Sequence, residues 1–201
     1  MMRCNDKVQD GQTLPYFNKP DFTPLFLSGD SEIQSQVDHV IAEIHCTDQH
    51  NQKITLDDLR GKIHVANFIF TKCGSVCPIL TKHMKLIQER FSADTNLVMM
   101  SYSVTPWIDS VPRLKSYAEL NGIYSPRWHL LTGDKAEIYH LARTSYFAEE
   151  NIGYSRDSTA FLHTEHILLV DRSGRLRGIY NGTLLLDIEQ LIKDIELLLN
   201  E

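Results

Sequence analysis

A chain of 201 residues, 42% hydrophobic and 23% charged, is long enough for one globular domain with a substantial core and does not require two. A net charge of −6, with lysines and arginines scattered along the chain, argues against a nucleic-acid partner. No apolar run reaches the length of a membrane-spanning helix, no apolar leader follows Met1, and four cysteines are too few for a disulfide scaffold of this size.

Residues 1–36 carry Pro15, Pro20 and Pro24 among aromatics with no sustained period, and are expected to form an irregular arm or a linker to a membrane anchor. Cys4 precedes the polar stretch Asn5-Asp-Lys-Val-Gln-Asp-Gly-Gln-Thr13, the appearance of a bacterial lipoprotein after its signal is cut; an incidental cysteine in a frayed terminus is the alternative. Residues 37–201 are expected to form a single domain.

From Val40 the pattern becomes regular. Ile41–Cys46 and Lys53–Leu56 flank the polar turn Asp48-Gln-His-Asn51 and predict a hairpin. Ile63-His-Val-Ala-Asn-Phe-Ile-Phe70 reads as a buried strand, followed by a helix over roughly 77–91 with Leu80, Met84, Ile87 and Phe91 at helical spacing. Leu97–Val104 is a second buried strand. Its neighbours Met99 and Met100 point to opposite faces and cannot jointly grip an ion, so both are expected in the core.

A helix from about Asp109 or Ser110 to Asn121 stops at Gly122, and Trp128–Leu131 is a short strand. Asp134 and Glu137 open a helix to about Tyr146, and Phe147–Thr159 reads as a polar surface loop. His166–Asp171 and Leu176–Tyr180 form a second hairpin around Arg172-Ser-Gly174, and the last helix, 187–199, lines Ile188, Leu191, Ile192, Ile195, Leu198 and Leu199 on one face. Parallel strands crossed by helices and closed by an antiparallel hairpin make a mixed α/β sheet.

The chemistry lies in Cys73-Gly-Ser-Val-Cys77-Pro78, at the turn from the first core strand into its helix. Backbone N–H groups and the helix dipole there favour thiolate over thiol. Positions four apart share a helix face, so both sulfurs can turn to one point. The spacing, one residue longer than the tight redox CxxC pair, leaves room for a metal between them. Two thiolates suit Cu(I), with an imidazole as third ligand. The bland alternative is two buried thiols in a helix start.

Nine histidines compete for that third place. His39, His45 and His50 fall near the first hairpin, and His129 and His140 lie beyond the second helix. His64 reads as a hydrogen-bonded core or edge residue, and His83, six positions past Cys77, faces elsewhere. His163 and His166 enter the strand expected beside the first core strand, three apart and so on opposite faces; periodicity leaves the choice between them open.

Thr71-Lys-Cys73-Gly-Ser-Val-Cys77-Pro78, Ser103-Val-Thr-Pro-Trp-Ile-Asp-Ser110, His163-Thr164 and Asp171-Arg-Ser-Gly174 together resemble the Sco/SenC family, from about Val40 to the C-terminus. These are thioredoxin-like copper proteins that assist assembly of cytochrome c oxidase. The resemblance implies a thioredoxin-like fold, copper as Cu(I) or Cu(II), and Cys73, Cys77 and His163 as ligands, since the family's histidine lies eleven positions ahead of the turn glycine. It also implies an anchored protein on the periplasmic side of the inner membrane, for which Cys4 is the lipidation candidate. Three positions depart from the family pattern. Gly74 stands where proline is frequent, Leu162 where an acidic residue precedes the histidine, and Thr105 where another acid is frequent. Loss of the carboxylate beside His163 is expected to weaken copper affinity more than to abolish binding.

Two functional readings follow. In the first, Cys73, Cys77 and His163 carry copper to the copper-A-bearing subunit of cytochrome c oxidase, and Cys4 and Cys46 are dispensable. In the second, the pair is a thiol–disulfide reductase in which Cys73 attacks and Cys77 resolves, served by a thiol reductant protein and needing no histidine. A peroxiredoxin-like peroxidase is disfavoured because its threonine would fall at Phe70, and a structural zinc site lacks a fourth ligand.

Overall fold

The computed structural model describes residues 13–148 and 164–201. The regular elements, in chain order, begin with β1 (Tyr16–Phe17), β2 (Pro24–Leu25) and α1 (Asp30–Gln36), followed by β3 (Cys46–Asp48) and β4 (Lys53–Ile54). The body follows with β5 (Ile63–Ile69), α2 (Val76–Arg90), β6 (Leu97–Ser103), α3 (Val111–Asn121), β7 (Trp128–Thr132) and α4 (Lys135–His140). It closes with β8 (His166–Val170), β9 (Leu176–Asn181) and α5 (Leu185–Asn200).

Seven strands form one sheet in the order β4-β3-β7-β6-β5-β8-β9. β5, β6 and β7 run parallel, joined by crossovers through α2 and α3, while β8 lies antiparallel to β5 and β9 antiparallel to β8. β5 and β6 are buried at every position because both faces are covered. Their alternate side chains feed two layers: Ile63, Val65, Leu97 and Met99 pack with residues of α2, α3 and α5, whereas Ala66, Phe68, Val98 and Met100 pack with Tyr139 and Tyr146. Met99 and Met100 therefore part into opposite layers, as a period of two requires. This is a thioredoxin-like mixed α/β sheet.

Several local expectations change. The first hairpin is shorter and shifted: Ile41–His45 is not strand, and Ile41 and Ile44 instead bury their side chains from irregular chain tied by Ile41 N–H to the Gly174 carbonyl at 2.9 Å. Asp48, expected in the turn, ends β3 and closes that turn by accepting from His50 N–H at 2.9 Å and Gln52 N–H at 2.8 Å. The helix opened by Asp134, whose carboxylate accepts from Glu137 N–H at 3.0 Å, widens into a π segment over Leu141–Ser145. Phe147 and Ala148 are buried, not on the surface, and the rest of the expected loop, 149–159, lies outside the described residues.

The arm meets β9 at Leu14 and Pro15, while Phe22 further along lies edge-on to His166 at the start of β8. Arg177, 3% exposed, stacks on Tyr16 with its guanidinium carbon 4.1 Å from the ring centroid. It donates to the carbonyls of Leu14 and Pro15 at 2.9 and 3.2 Å and pairs with Asp171 at 3.3 Å and Glu201 at 3.1 Å. The paired charges offset one another's desolvation and fasten the arm to β9.

Candidate dithiol metal centre

β5 ends at Ile69 and the chain turns through Phe70–Ser75 before α2 begins at Val76. Cys73 sits in that turn, half-buried, its N–H bonded to the Phe70 carbonyl at 3.0 Å. Cys77, in the first turn of α2, is 8% exposed and points its N–H at Cys73 Sγ, 3.5 Å away. Ser75, at the N-cap position, makes no side-chain bond to the helix; its Oγ lies 3.7 Å from Cys73 Sγ. Both free thiols thus meet at the helix start, as the four-residue spacing predicts.

Their environments drive the two sulfurs apart in acidity. Burial raises the Cys73 thiol, but the N–H groups of Cys77 and Ser75 and the Ser75 hydroxyl together outweigh it and bring it down to about 6. Cys77 moves the other way. Burial, with added repulsion from Cys73 and Asp109, pushes it up to about 12. At neutral pH the pair is therefore a thiolate beside a thiol.

Beneath the turn lies a polar cluster that the sequence did not single out as functional. Asp109, 0% exposed, accepts from Thr71, Ser103 and Thr105, and Arg113 lies beside it. Helix α3 starts at Val111 with Ser110 at its N-cap position, so Asp109 turns inward rather than capping. Each residue of the cluster is unremarkable alone; the signal available in the sequence is that Thr71 and the 103–110 stretch both belong to the motifs quoted for the family resemblance and both lie at or just past the end of a core strand.

His163 and Cys4 lie outside the described residues. Four of the other histidines are engaged elsewhere. His64 is buried against Tyr146, His83 Nδ1 meets the Gly182 carbonyl at 2.7 Å, His129 Nδ1 meets Asp48 at 3.0 Å, and His39 stacks on Phe147. His166 is half-buried with its ring edge-on to Phe22. Among the described residues no group of three or more His, Cys, Asp or Glu is arranged to hold a metal, and no helix is long and apolar enough to cross a membrane. Cys46 is a buried free thiol, pushed up to about 12 by burial and by Glu137.

Comparison with known proteins gives the same fold and the same turn a family. BsSco, a member of the Sco family of cytochrome c oxidase assembly proteins in which a disulfide switch was identified, is 28% identical, with 79% of this chain and 92% of that one covered at a TM-score of 0.66. A SCO1/SenC family lipoprotein from Bacillus anthracis is 25% identical over 81% of this chain and 96% of its own, at a TM-score of 0.70. Bradyrhizobium japonicum ScoI, solved with copper bound, is 25% identical over 79% and 99%, at a TM-score of 0.62. The SCO1/SenC family pattern itself matches residues 33–200, spanning both thiols and the whole sheet, and the chain belongs to the SCO1/SenC family.

Proposed function

We propose that this chain is a copper-binding assembly factor for cytochrome c oxidase, in which reduced Cys73 and Cys77, with His163, hold copper and pass it to the copper-A centre of an oxidase subunit. The observation that carries the reading is the meeting of two sulfurs at the start of α2, with Cys77 N–H 3.5 Å from Cys73 Sγ, in a chain of the SCO1/SenC family. Copper bound in B. japonicum ScoI and the oxidase-assembly role of the BsSco family support it. Copper is the cargo here. Cys73 offers a thiolate to it at once, whereas Cys77 gives up its proton as the metal arrives, so loading releases a proton near neutral pH. The imidazole of His163 completes a soft, low-coordinate set that Cu(I) accepts, and release proceeds by exchange of these ligands for the acceptor's. Lipidation at Cys4 would place the domain on the periplasmic face of the inner membrane, a reading supported by the B. anthracis lipoprotein.

A second reading is favoured by the unequal burial of the two sulfurs, Cys73 half-buried and Cys77 8% exposed, with the Cys77 N–H 3.5 Å from Cys73 Sγ. A half-buried thiolate beside a buried thiol is the arrangement of an attacker and a resolver. Cys73 would attack a target disulfide, expelling one target thiolate. Cys77, losing its proton, would then attack Cys73 Sγ and release the second. Two electrons pass to the target and a Cys73–Cys77 disulfide remains, to be reduced by a dithiol protein.

The deciding experiment is Cu(I) competition against a chromophoric chelator with reduced wild type, His163→Ala and Cys73→Ser. Stoichiometric binding that falls sharply in both variants supports the three-ligand carrier. Weak binding indifferent to His163 sinks it and moves the reductase to first place.

A further inference from the structure

β5 and β6 end side by side, with Ile69 opposite Ser103, and the segments leaving them are the dithiol turn and the loop into α3. One carboxylate joins the two. Asp109 accepts from Thr71 Oγ1 at 2.5 Å, Ser103 Oγ at 2.6 Å, Thr105 Oγ1 at 3.0 Å and Thr71 N–H at 3.3 Å. Arg113 Nε lies 3.5 Å from its Oδ1 and donates to Thr71 Oγ1 at 2.7 Å. Thr71 is therefore gripped three ways: its N–H and hydroxyl donate to Asp109, and its hydroxyl oxygen accepts from Arg113 Nε–H.

Burying a carboxylate is costly unless its acceptor sites are filled, and a network of this kind rigidifies what it joins only when every member is satisfied. Helix capping does not account for it, since Asp109 gives α3 no cap bond. What it does hold is Thr71, two residues ahead of Cys73. With Cys73 N–H bonded back to the Phe70 carbonyl, the chain from Phe70 to Cys73 has no slack, and Cys73 Sγ is delivered to the Cys77 N–H.

We propose that Asp109 is a positioning residue for the dithiol, acting through Thr71, with Arg113 as the second brace on the same hydroxyl. For the metal that the dithiol takes, this rests on the copper reading above; for the placement of the sulfur it does not. Loss of the grip lets the Cys73 turn move, lowers the effective concentration of one sulfur at the other, and weakens both disulfide closure and two-sulfur metal binding.

The test uses the full chain with Thr71→Val, Thr71→Ser and Asp109→Asn, each first checked for cooperative thermal unfolding. Two quantities are read: the dithiol–disulfide equilibrium against a glutathione redox buffer, and Cu(I) affinity by chelator competition. Thr71→Val is expected to shift the glutathione equilibrium toward the dithiol and to weaken Cu(I) binding, each by about tenfold, as loss of a ligand-orienting partner does. Thr71→Ser, which keeps the hydroxyl, is expected to restore both. A folded Thr71→Val that stays within about twofold of wild type in both readouts overturns the proposal. Where Asp109→Asn fails to fold, Thr71→Val decides alone. If reduced wild type takes up no Cu(I), the copper reading falls, and the glutathione equilibrium still decides whether Asp109 positions the sulfur.

Discussion

His64 Nε2 lies 3.0 Å from the phenolic oxygen of Tyr146, which in turn lies 3.2 Å from that of Tyr102, all inside one layer of the core. Burial holds this imidazole neutral down to about pH 3, against 6.5 for a free histidine. Between those values the unfolded chain binds a proton that the folded chain refuses, so stability is lost as pH falls through that window and is unaffected by this group above it. The slope is about 1.4 kcal/mol per pH unit well below 6.5. Urea titrations at pH 5 and pH 7 should show a smaller gap for His64→Leu than for wild type; an equal gap would mean that other groups set the acid limit.

Alkylation separates the two thiols. Below pH 8, iodoacetamide should modify reduced Cys73 first, with a rate that rises through a midpoint near 6, while Cys77 stays protected until unfolding. Mass spectrometry of the singly labelled protein would locate the adduct, and a label on Cys77 would contradict the geometry.

Much of this was legible from periodicity. β5, β6 and β8 declare themselves as apolar runs because they are covered on both faces, α2 and α5 carry their stripes at helical spacing, and α3 is marked by its stop at Gly122. Elements without a period were not legible: β1 and β2 are two residues each, and Ile41 and Ile44 reach the core from irregular chain. Phe147 and Ala148 are buried because the π segment ahead of them turns the chain inward, a register change that a 3.6-residue pattern does not encode. Cys73 and Cys77 could be read directly as a site. Asp109 could not, because its donors come from Thr71, Ser103 and Thr105, brought together only when two strand ends align.

Arg177 should matter more than its distance from the thiols suggests. Arg177→Ala removes a buried cation that Asp171, Glu201 and two arm carbonyls share. Such a loss costs on the order of 3 kcal/mol. Limited proteolysis should then cut within residues 13–36 at protease levels that wild type withstands, without any change in thiol reactivity.

Gly122 ends α3 in the left-handed region, φ 67°, which lets Ile123 N–H reach the Ala118 carbonyl at 2.9 Å. A methyl there would also meet Lys85 Nζ at 3.2 Å. Gly122→Ala is expected to cost about 1 kcal/mol, seen as a fall of a few degrees in Tm.

The clamp around Arg177 also sets a direction. Ile63, at the start of β5, lines the same cavity of about 410 Å³ as Tyr16, Asp171 and Glu201, whereas Cys73 follows the other end of that strand. A seven-residue strand spans roughly 20 Å. Leu14 and Pro15, whose carbonyls accept from Arg177, are thus held at the pole opposite the sulfurs, and the clamp leaves the dithiol end of the strand untouched.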